Sequence, residues 1–209
     1  MKTRIIFIML LAAFAFSQNS RSQSTRSDIF DAPEITWFGL DFSMVRLIGP
    51  DGFTDPRAIK EIYFMDMNNL IRLEPEKYDL KKVFYKNQVP IDLSVIKVRN
   101  QLPDVEEMVV ASGTVYNLEE KTIRDIVKAY VPETQTGVGV VFIMESFNKE
   151  EEKGHIWVTF FDIATREVLL MDKMSGAAGG FGWRNYWART YYNVLKEIEK
   201  TRYRVWSEK

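Results

Sequence analysis

Eleven consecutive residues, Gly137 to Phe147, are almost uniformly apolar and rich in β-branched side chains. A run of that length and composition reads as a central buried strand, so the remainder of the chain has to supply a sheet around it. The flanking segments fit. Asn148 to Gly154, with Glu150, Glu151 and Glu152 in a row, is a charged hairpin tip and reads as a solvated loop in preference to a metal site. His155 to Phe161 alternates Ile156, Val158 and Phe160 with Trp157, Thr159 and Phe161, and Asp162 to Glu167 turns the chain into Val168 to Met174. Three strands joined by two short turns form an antiparallel meander.

Upstream, Ile35 to Ile48 places Phe38, Leu40, Phe42 and Met44 on one parity and Gly39, Asp41 and Ser43 on the other, the pattern of a half-buried strand. Gly49-Pro50-Asp51-Gly52 ends it. Asp55-Pro56 then reads as an N-cap followed by proline in the first helical position, with Ile59, Ile62, Tyr63, Met67, Leu70 and Leu73 as an apolar stripe until Pro75. Between Tyr78 and Pro103 the pattern is weak: Leu80 and Phe84 suggest a short helix, and Val89 to Val98 reads as either strand or loop. Glu107 to Ser112 is a short β-branched run, and Asn117-Leu118-Glu119-Glu120 has capping-box spacing ahead of Ile123, Ile126, Val127 and Tyr130. A last helix from about Arg184 to Tyr203 carries Trp183, Trp187, Thr190, Tyr191, Val194 and Ile198 on one face. The expected class is α+β, a mixed sheet with a C-terminal antiparallel three-strand meander and about three helices packed on it.

The N-terminus has a separate logic. Lys2 and Arg4 precede a 12-residue apolar run, Ile5 to Phe16, then small and polar residues through Ser27. This is the layout of a secretory signal, and the run falls short of the roughly 20 residues that span a bilayer. The expected organisation is a signal peptide at 1–17, a disordered leader at 18–27 and one domain at 28–209, with no transmembrane span once the signal is removed. Loss of Lys2 and Arg4 leaves 26 basic residues against 29 acidic ones, a net charge of −3. A balance of that sign gives no broad positive field for nucleic acid. The chain has no cysteine, which removes thiol chemistry, disulfides and lipidation through an N-terminal cysteine; an exported domain without disulfides must be held by packing. Its one histidine, His155, allows no multi-histidine metal site and leaves no choice of base for a serine triad. No cofactor is expected.

Several constellations could carry function. Ser175 to Gly182 is glycine-rich and sits between a strand and a helix, where backbone N–H groups can meet an anion. It matches neither nucleotide motif: Asn185 stands where a dinucleotide fingerprint needs its third glycine, and Trp183-Arg184-Asn185 follow where a phosphate loop needs lysine and serine. Two readings stay open, a tight turn folding Phe181 and Trp183 over the end of the sheet, or an anion site completed by Arg184. Eight of the 28 aromatic residues lie between Phe181 and Trp206, and Tyr192 and Tyr203, near Arg189, Lys196 and Lys200, read as either a partner surface or a solvated helix face. The candidate ligand- or partner-binding residues are therefore Gly179, Gly180, Gly182, Arg184, Asn185, Arg189 and Tyr192. Ser94-Val95-Ile96-Lys97 has the S-x-x-K spacing of penicillin-binding enzymes without their other elements, and no G-x-S-x-G is present. Asp41, Glu145 and Asp162 lie on or beside strands, with nothing in their spacing to pair them; His155 reads as an edge residue.

Val140 to Lys149, Trp157 to Asp162 and Gly179-Gly180-Phe181-Gly182-Trp183-Arg184-Asn185-Tyr186-Trp187 resemble an uncharacterised family of exported proteins from Bacteroidota-type bacteria. The likeness covers most of the chain after the signal, and implies compartment and fold but no activity. More distantly, the order of elements and the Asp162-x-x-Thr165-x-Glu167-Val168 hairpin are similar to the periplasmic domains of curli-secretion-like lipoproteins and to the N-terminal domain of the Tol-system propeller protein. That similarity implies a role in envelope assemblies. The chain departs from it in lacking the lipidated cysteine and in having Arg166 where glycine is common in that hairpin. The resulting expectation is a non-catalytic interaction module of the periplasm or outer-membrane periphery, not lipidated, with an envelope protein as partner; the second is a binding protein for a small anionic ligand or cell-wall fragment at Gly176 to Arg184. A hydrolase using Ser94 and Lys97 is a third.

Overall fold

The computed structural model describes residues 23–208, and the expected signal peptide at 1–17 lies outside the described residues. In chain order the elements are α1 (Asp28–Asp31), β1 (Thr36–Asp41), β2 (Arg46–Ile48), a 3-10 turn (Pro50–Gly52), α2 (Pro56–Ala58), a π turn (Ile59–Tyr63) and α3 (Phe64–Leu73). There follow α4 (Leu80–Val83), α5 (Ser94–Arg99), α6 (Val105–Met108), β3 (Val109–Val110), α7 (Glu120–Lys128), β4 (Val138–Asn148), β5 (Lys153–Asp162) and β6 (Val168–Ala177). α8 (Trp183–Glu197), a second π turn (Ile198–Arg202) and α9 (Tyr203–Ser207) close the fold. It is an α+β architecture with one mixed six-stranded sheet and three long helices, α3, α7 and α8. No helix among the described residues is long and apolar enough to cross a membrane.

β4 is the centre, with all eleven of its residues buried. β5 covers one of its edges from end to end and β6 follows, both antiparallel, which is the meander. Along the other edge lie β1 and then β2, both parallel to β4, with β3 outside β2. Each face of the sheet carries its own core. Phe42, Phe64, Met67, Phe142, Phe160, Trp187 and Tyr191 belong to the α3–α8 side. Phe38, Ile96, Ile123, Val127, Tyr130, Ile143 and Trp157 belong to the α5–α7 side.

The segment Ile35 to Ile48 corrects its expectation: it is two strands, not one, and β1 is buried on both faces. Gly39 sits at φ +92° within a register shift between Trp37 and Leu40, so the extra residue reverses the parity. Phe38 therefore joins the α5–α7 core while Leu40 and Phe42 join the other. Among the described residues no further strand lies along the outer edge of β1: the 90–92 segment bridges it at Trp37, and beyond that point asparagines take over. Asn68 accepts from Leu40 N–H at 2.7 Å and donates to Leu40 O at 3.1 Å, while Asn100 accepts from Phe42 N–H at 2.8 Å and donates to the same carbonyl. Both side chains are fully buried, so this edge is closed by side-chain amides where a ladder would otherwise run.

Asp55 caps α2 as expected, accepting from Ala58 N–H at 3.0 Å. The stripe beyond it shifts: Ile62 and Leu73 are exposed, and Phe64 and Ile71 are buried in their stead. The π turn is the reason, since five residues and not four separate Ile59 from the next inward position, Phe64. Val89 to Val98 resolves into a single bridge between Trp37 and Ile91 followed by α5. The expected capping box at Asn117 does not form. Glu119 occupies the N-cap without a side-chain bond, and Asn117 accepts from Lys173 Nζ at 2.8 Å.

Residues 23–27, expected to belong to a disordered leader, are hydrogen-bonded to the body. Ser24 N–H donates to Asp162 Oδ2 at 2.6 Å, and Arg26 donates to Trp206 O at 3.0 Å. Asp162 opens the β5–β6 turn, where Arg166 holds φ +60°, the left-handed region in which glycine is free of strain. Burial opposes ionisation of Asp162, but the donors on Ser24 and Thr165 outweigh it and hold the carboxyl below its ordinary value. A depressed folded pKa contributes stability that is present above the ordinary carboxylate range and lost as pH falls through the folded value. Acidification to below about pH 4 is therefore expected to release the 23–27 segment, seen as lost exchange protection at the Ser24 and Thr25 amides, which donate to Asp162 and Asp28. Asp162→Asn should loosen the same amides at neutral pH, and exchange unmoved by either change would contradict the tether.

Candidate functional site

The glycine-rich segment has two halves with different work. Gly176 belongs to β6 and pairs with Gly154 of β5. A Cβ on Gly176 would lie 2.0 Å from the Thr190 carbonyl oxygen, and one on Gly154 would lie 2.7 Å from Thr190 Oγ1. The pair is thus a bare patch on the sheet onto which α8 settles at Thr190, and Gly176 is there for packing. The second half, Ala178 to Gly182, is an anchored loop. Ala178 N–H donates to Glu152 O at 2.7 Å, Gly179 N–H to Tyr186 O at 3.0 Å, and Tyr186 N–H to Gly182 O at 2.9 Å. Gly180 and Gly182 hold φ +108° and +79°, which permits the tight path into α8.

Behind this loop is a cavity of about 280 Å3, lined by Gly180, Gly182, Trp183, Tyr186, Gly52 and Lys149 among others. Trp183 stacks on Tyr63 with centroids 5.0 Å apart and donates to Gly52 O at 3.3 Å, the placement that the tight-turn reading gives it. Phe181 does not follow it: its side chain is 95% exposed. Lys149 Nζ lies 4.9 Å from the Tyr186 ring centre, and Tyr186 donates its hydroxyl to Glu152 at 2.8 Å. That hydroxyl, with Lys149, holds the Glu152 carboxyl below its ordinary value. The cation at this cavity is therefore Lys149, supplied by the β4–β5 turn. Arg184 is not in its lining and donates instead to the neighbouring Asn185 at 3.1 Å.

Arg189 and Tyr192 lie elsewhere. Eight residues of helix separate Tyr192 from Arg184, ~12 Å along the axis. The Tyr192 ring is surrounded by Arg189, Lys196 and Lys77, at 5.3, 5.8 and 6.0 Å from its centre. Tyr203, expected beside it on the outer face, is buried at 7% exposure and donates to Ile29 O at 2.9 Å. The second π turn moves it inward by the same shift seen before α3. Gly179, Gly180, Gly182, Arg184 and Asn185 are brought together at the loop; Arg189 and Tyr192 form a second, separate patch. Ser94 donates its hydroxyl to Asp92, which also accepts from Ser94 N–H and Thr134 N–H, and Lys97 is exposed. That hydroxyl donates to a carboxylate just before α5 and is in no recorded hydrogen bond with the lysine among the described residues.

The three strand acids are each locked in a set of their own. Asp41, fully buried, accepts from Arg99 Nε and the Tyr130 hydroxyl at 2.7 Å and from Ser43 N–H at 2.8 Å. Burial raises the Tyr130 phenol well above its ordinary value. Glu145 is 1% exposed and accepts from Lys173 Nζ at 2.7 Å, Leu118 N–H at 2.8 Å and Trp157 Nε1 at 3.1 Å.

Glu145 also marks a site that spacing alone did not reveal. The β4–β5 register shifts between Met144 and Ser146, so Glu145 is the extra residue of a bulge. Glu145 and Ser146 both line a cleft of about 460 Å3 on the α5–α7 side, roofed by the 113–117 loop. His155, opposite Ser146 in register, lies in the same lining and bonds Glu151 through Nε2 at 3.2 Å. His155 is thus part of a polar cleft and not a plain edge residue. The signal available in the sequence was Glu145 itself, a charge inside an otherwise apolar strand. Among the described residues no group of three or more histidine, aspartate or glutamate side chains is placed to hold a metal ion.

No family model, curated protein or solved structure matches this chain.

Proposed function

We propose that this chain is a non-catalytic interaction module of the cell envelope, exported to the periplasm or the outer-membrane periphery, that docks a protein partner through the 178–182 loop and the first turn of α8. One observation carries the reading: Phe181, at 95% exposure, stands at the tip of a loop that is itself pinned to Glu152 and Tyr186. A large ring displayed in water on a fixed support is the arrangement of an interface anchor, because its burial is favourable and little loop entropy remains to be lost. Arg184 and Asn185 flank it as a polar rim.

Phe181→Ala is expected to leave the melting temperature within about 2 °C of the parent, as befits a side chain that packs on little, and to abolish recovery of the partner from native envelope extracts. Equal recovery by both proteins would remove the loop from the interface. A second reading, a small anionic ligand or cell-wall fragment at the same loop, is favoured by Lys149 in the lining of the cavity behind it. It requires that phosphate or a muropeptide raise the melting temperature, and that Lys149→Ala cancel the rise.

A further inference from the structure

We infer that the cavity behind the 178–182 loop takes one ring of a neutral saccharide, which rests on the second reading of that cavity and selects a sugar over an anion. Its walls are the first ground. Trp183, Tyr186 and Trp187 line the cavity, and Trp183 and Tyr186 are only half-buried, so part of each ring stays open to it. Tyr63 stacks on Trp183, and Trp187 meets Tyr186 edge-on with 87° between the planes, so both rings are held by neighbours before a ligand enters. Gly52, Gly180 and Gly182 complete the lining without side chains. At about 280 Å3 the cavity is at the lower end of ligand clefts, with room for a single ring. An open aromatic surface matches the C–H face of a pyranose, which is apolar although the sugar's rim is not.

The polar groups are the second ground. Among the described residues Lys149 is the one charged side chain in the lining, and its stem lies against Gly49 and Gly52, where an added Cβ would come within 3.1 and 2.9 Å of it. Its ammonium meets Glu152 at 3.5 Å, and Tyr186 donates its hydroxyl to the same carboxyl. A fixed carboxylate beside the ammonium leaves the pair neutral and repels a second anion. Asp51 and Arg184, next in sequence to Gly52 and Trp183, are likewise of opposite sign. What remains for a ligand is one group of each kind: the further N–H donors of Lys149, and the lone pairs of the Tyr186 hydroxyl, whose proton is committed to Glu152. A sugar hydroxyl both donates and accepts, so it uses both, whereas a phosphate oxygen uses the donors alone.

Two sources carry such a ring, an N-acetylated amino sugar and a plain hexose. Saturation-transfer NMR on the full chain with chitotriose and with maltotriose tests both, and inorganic phosphate is the anionic competitor. Saturation of the ring C–H protons of either sugar supports the inference, and the tighter of the two identifies the source. Lys149→Met, a change outside the core, is expected to weaken binding about tenfold, and Tyr186→Phe, which keeps the ring and removes the hydroxyl, about threefold. Failure of both sugars to bind, binding that neither variant weakens, or displacement of the bound sugar by an equal concentration of phosphate would overturn the assignment. A melting temperature raised by phosphate with no sugar bound would leave the anion reading standing and remove this one. Sugar binding alongside partner recovery that Phe181→Ala does not change would remove the docking reading and leave this one, since Phe181 is not in the lining.

Discussion

Replacing Gly176 by alanine is expected to destabilise the protein by about 3 kcal/mol or more, at the upper end of what overpacking costs. The new Cβ would sit 2.0 Å from the Thr190 carbonyl oxygen and 2.8 Å from its carbon, and both atoms are helix backbone that cannot rotate away. Relief requires α8 to lift off β6, and α8 carries Trp187, Tyr191 and Val194 into the core. Gly179→Ala is the internal control. Its Cβ would meet only Arg189 Cγ at 3.9 Å, an ordinary contact, so it should change stability by no more than about 0.5 kcal/mol. Urea denaturation of the two variants separates packing glycines from loop glycines; equal stability of the two would contradict the close approach of helix and sheet.

Asp41→Ala is expected to cost about 3–5 kcal/mol, because it leaves buried donors with nothing to donate to. Arg99, 14% exposed, would lose the carboxylate at 2.7 Å, and the buried Tyr130 hydroxyl would lose its acceptor. The cluster joins β1 to α5 through Arg99 and to the end of α7 through Tyr130, so its loss should loosen one whole face of the sheet. A double variant, Asp41→Ala with Arg99→Met, should recover part of the loss, since it removes the uncompensated cation as well. Denaturant midpoints for the parent, the two single variants and the double variant give the coupling directly. Strict additivity would mean that the ion pair contributes nothing beyond its separate parts.

The meander, the central strand and the α+β class were legible because they rest on long patterns, apolar runs and period-two alternation, that tertiary packing reinforces. The faces of α3 and the last helix were legible only as far as their π turns. Each turn inserts one residue into the period, which exposes Ile62 and Leu73 in one case and buries Tyr203 in the other. Bulges had the same effect on strands: Gly39 reversed the parity of β1, and Glu145 turned itself and Ser146 onto one face. Single-residue insertions of this kind leave no periodic trace, so the two-faced burial of β1 and the polar cleft could not be read from spacing. The candidate loop was found for its glycines, but composition could not separate Gly176, which clears space for α8, from Gly180 and Gly182, which turn the chain. Nor could it assign the cation, because Lys149 reaches the loop from a hairpin about thirty residues upstream, whereas Arg184, adjacent in sequence, turns to Asn185.

The interaction reading rests on the ring at position 181, and a photo-crosslinking phenylalanine derivative placed there, in cells that express the chain, tests it most directly. Illumination is expected to trap one reproducible envelope protein at position 181 and none with the same derivative at the exposed Leu73, on another part of the surface. Recovery of no adduct from position 181, or of the same diffuse set of proteins from both positions, would contradict it.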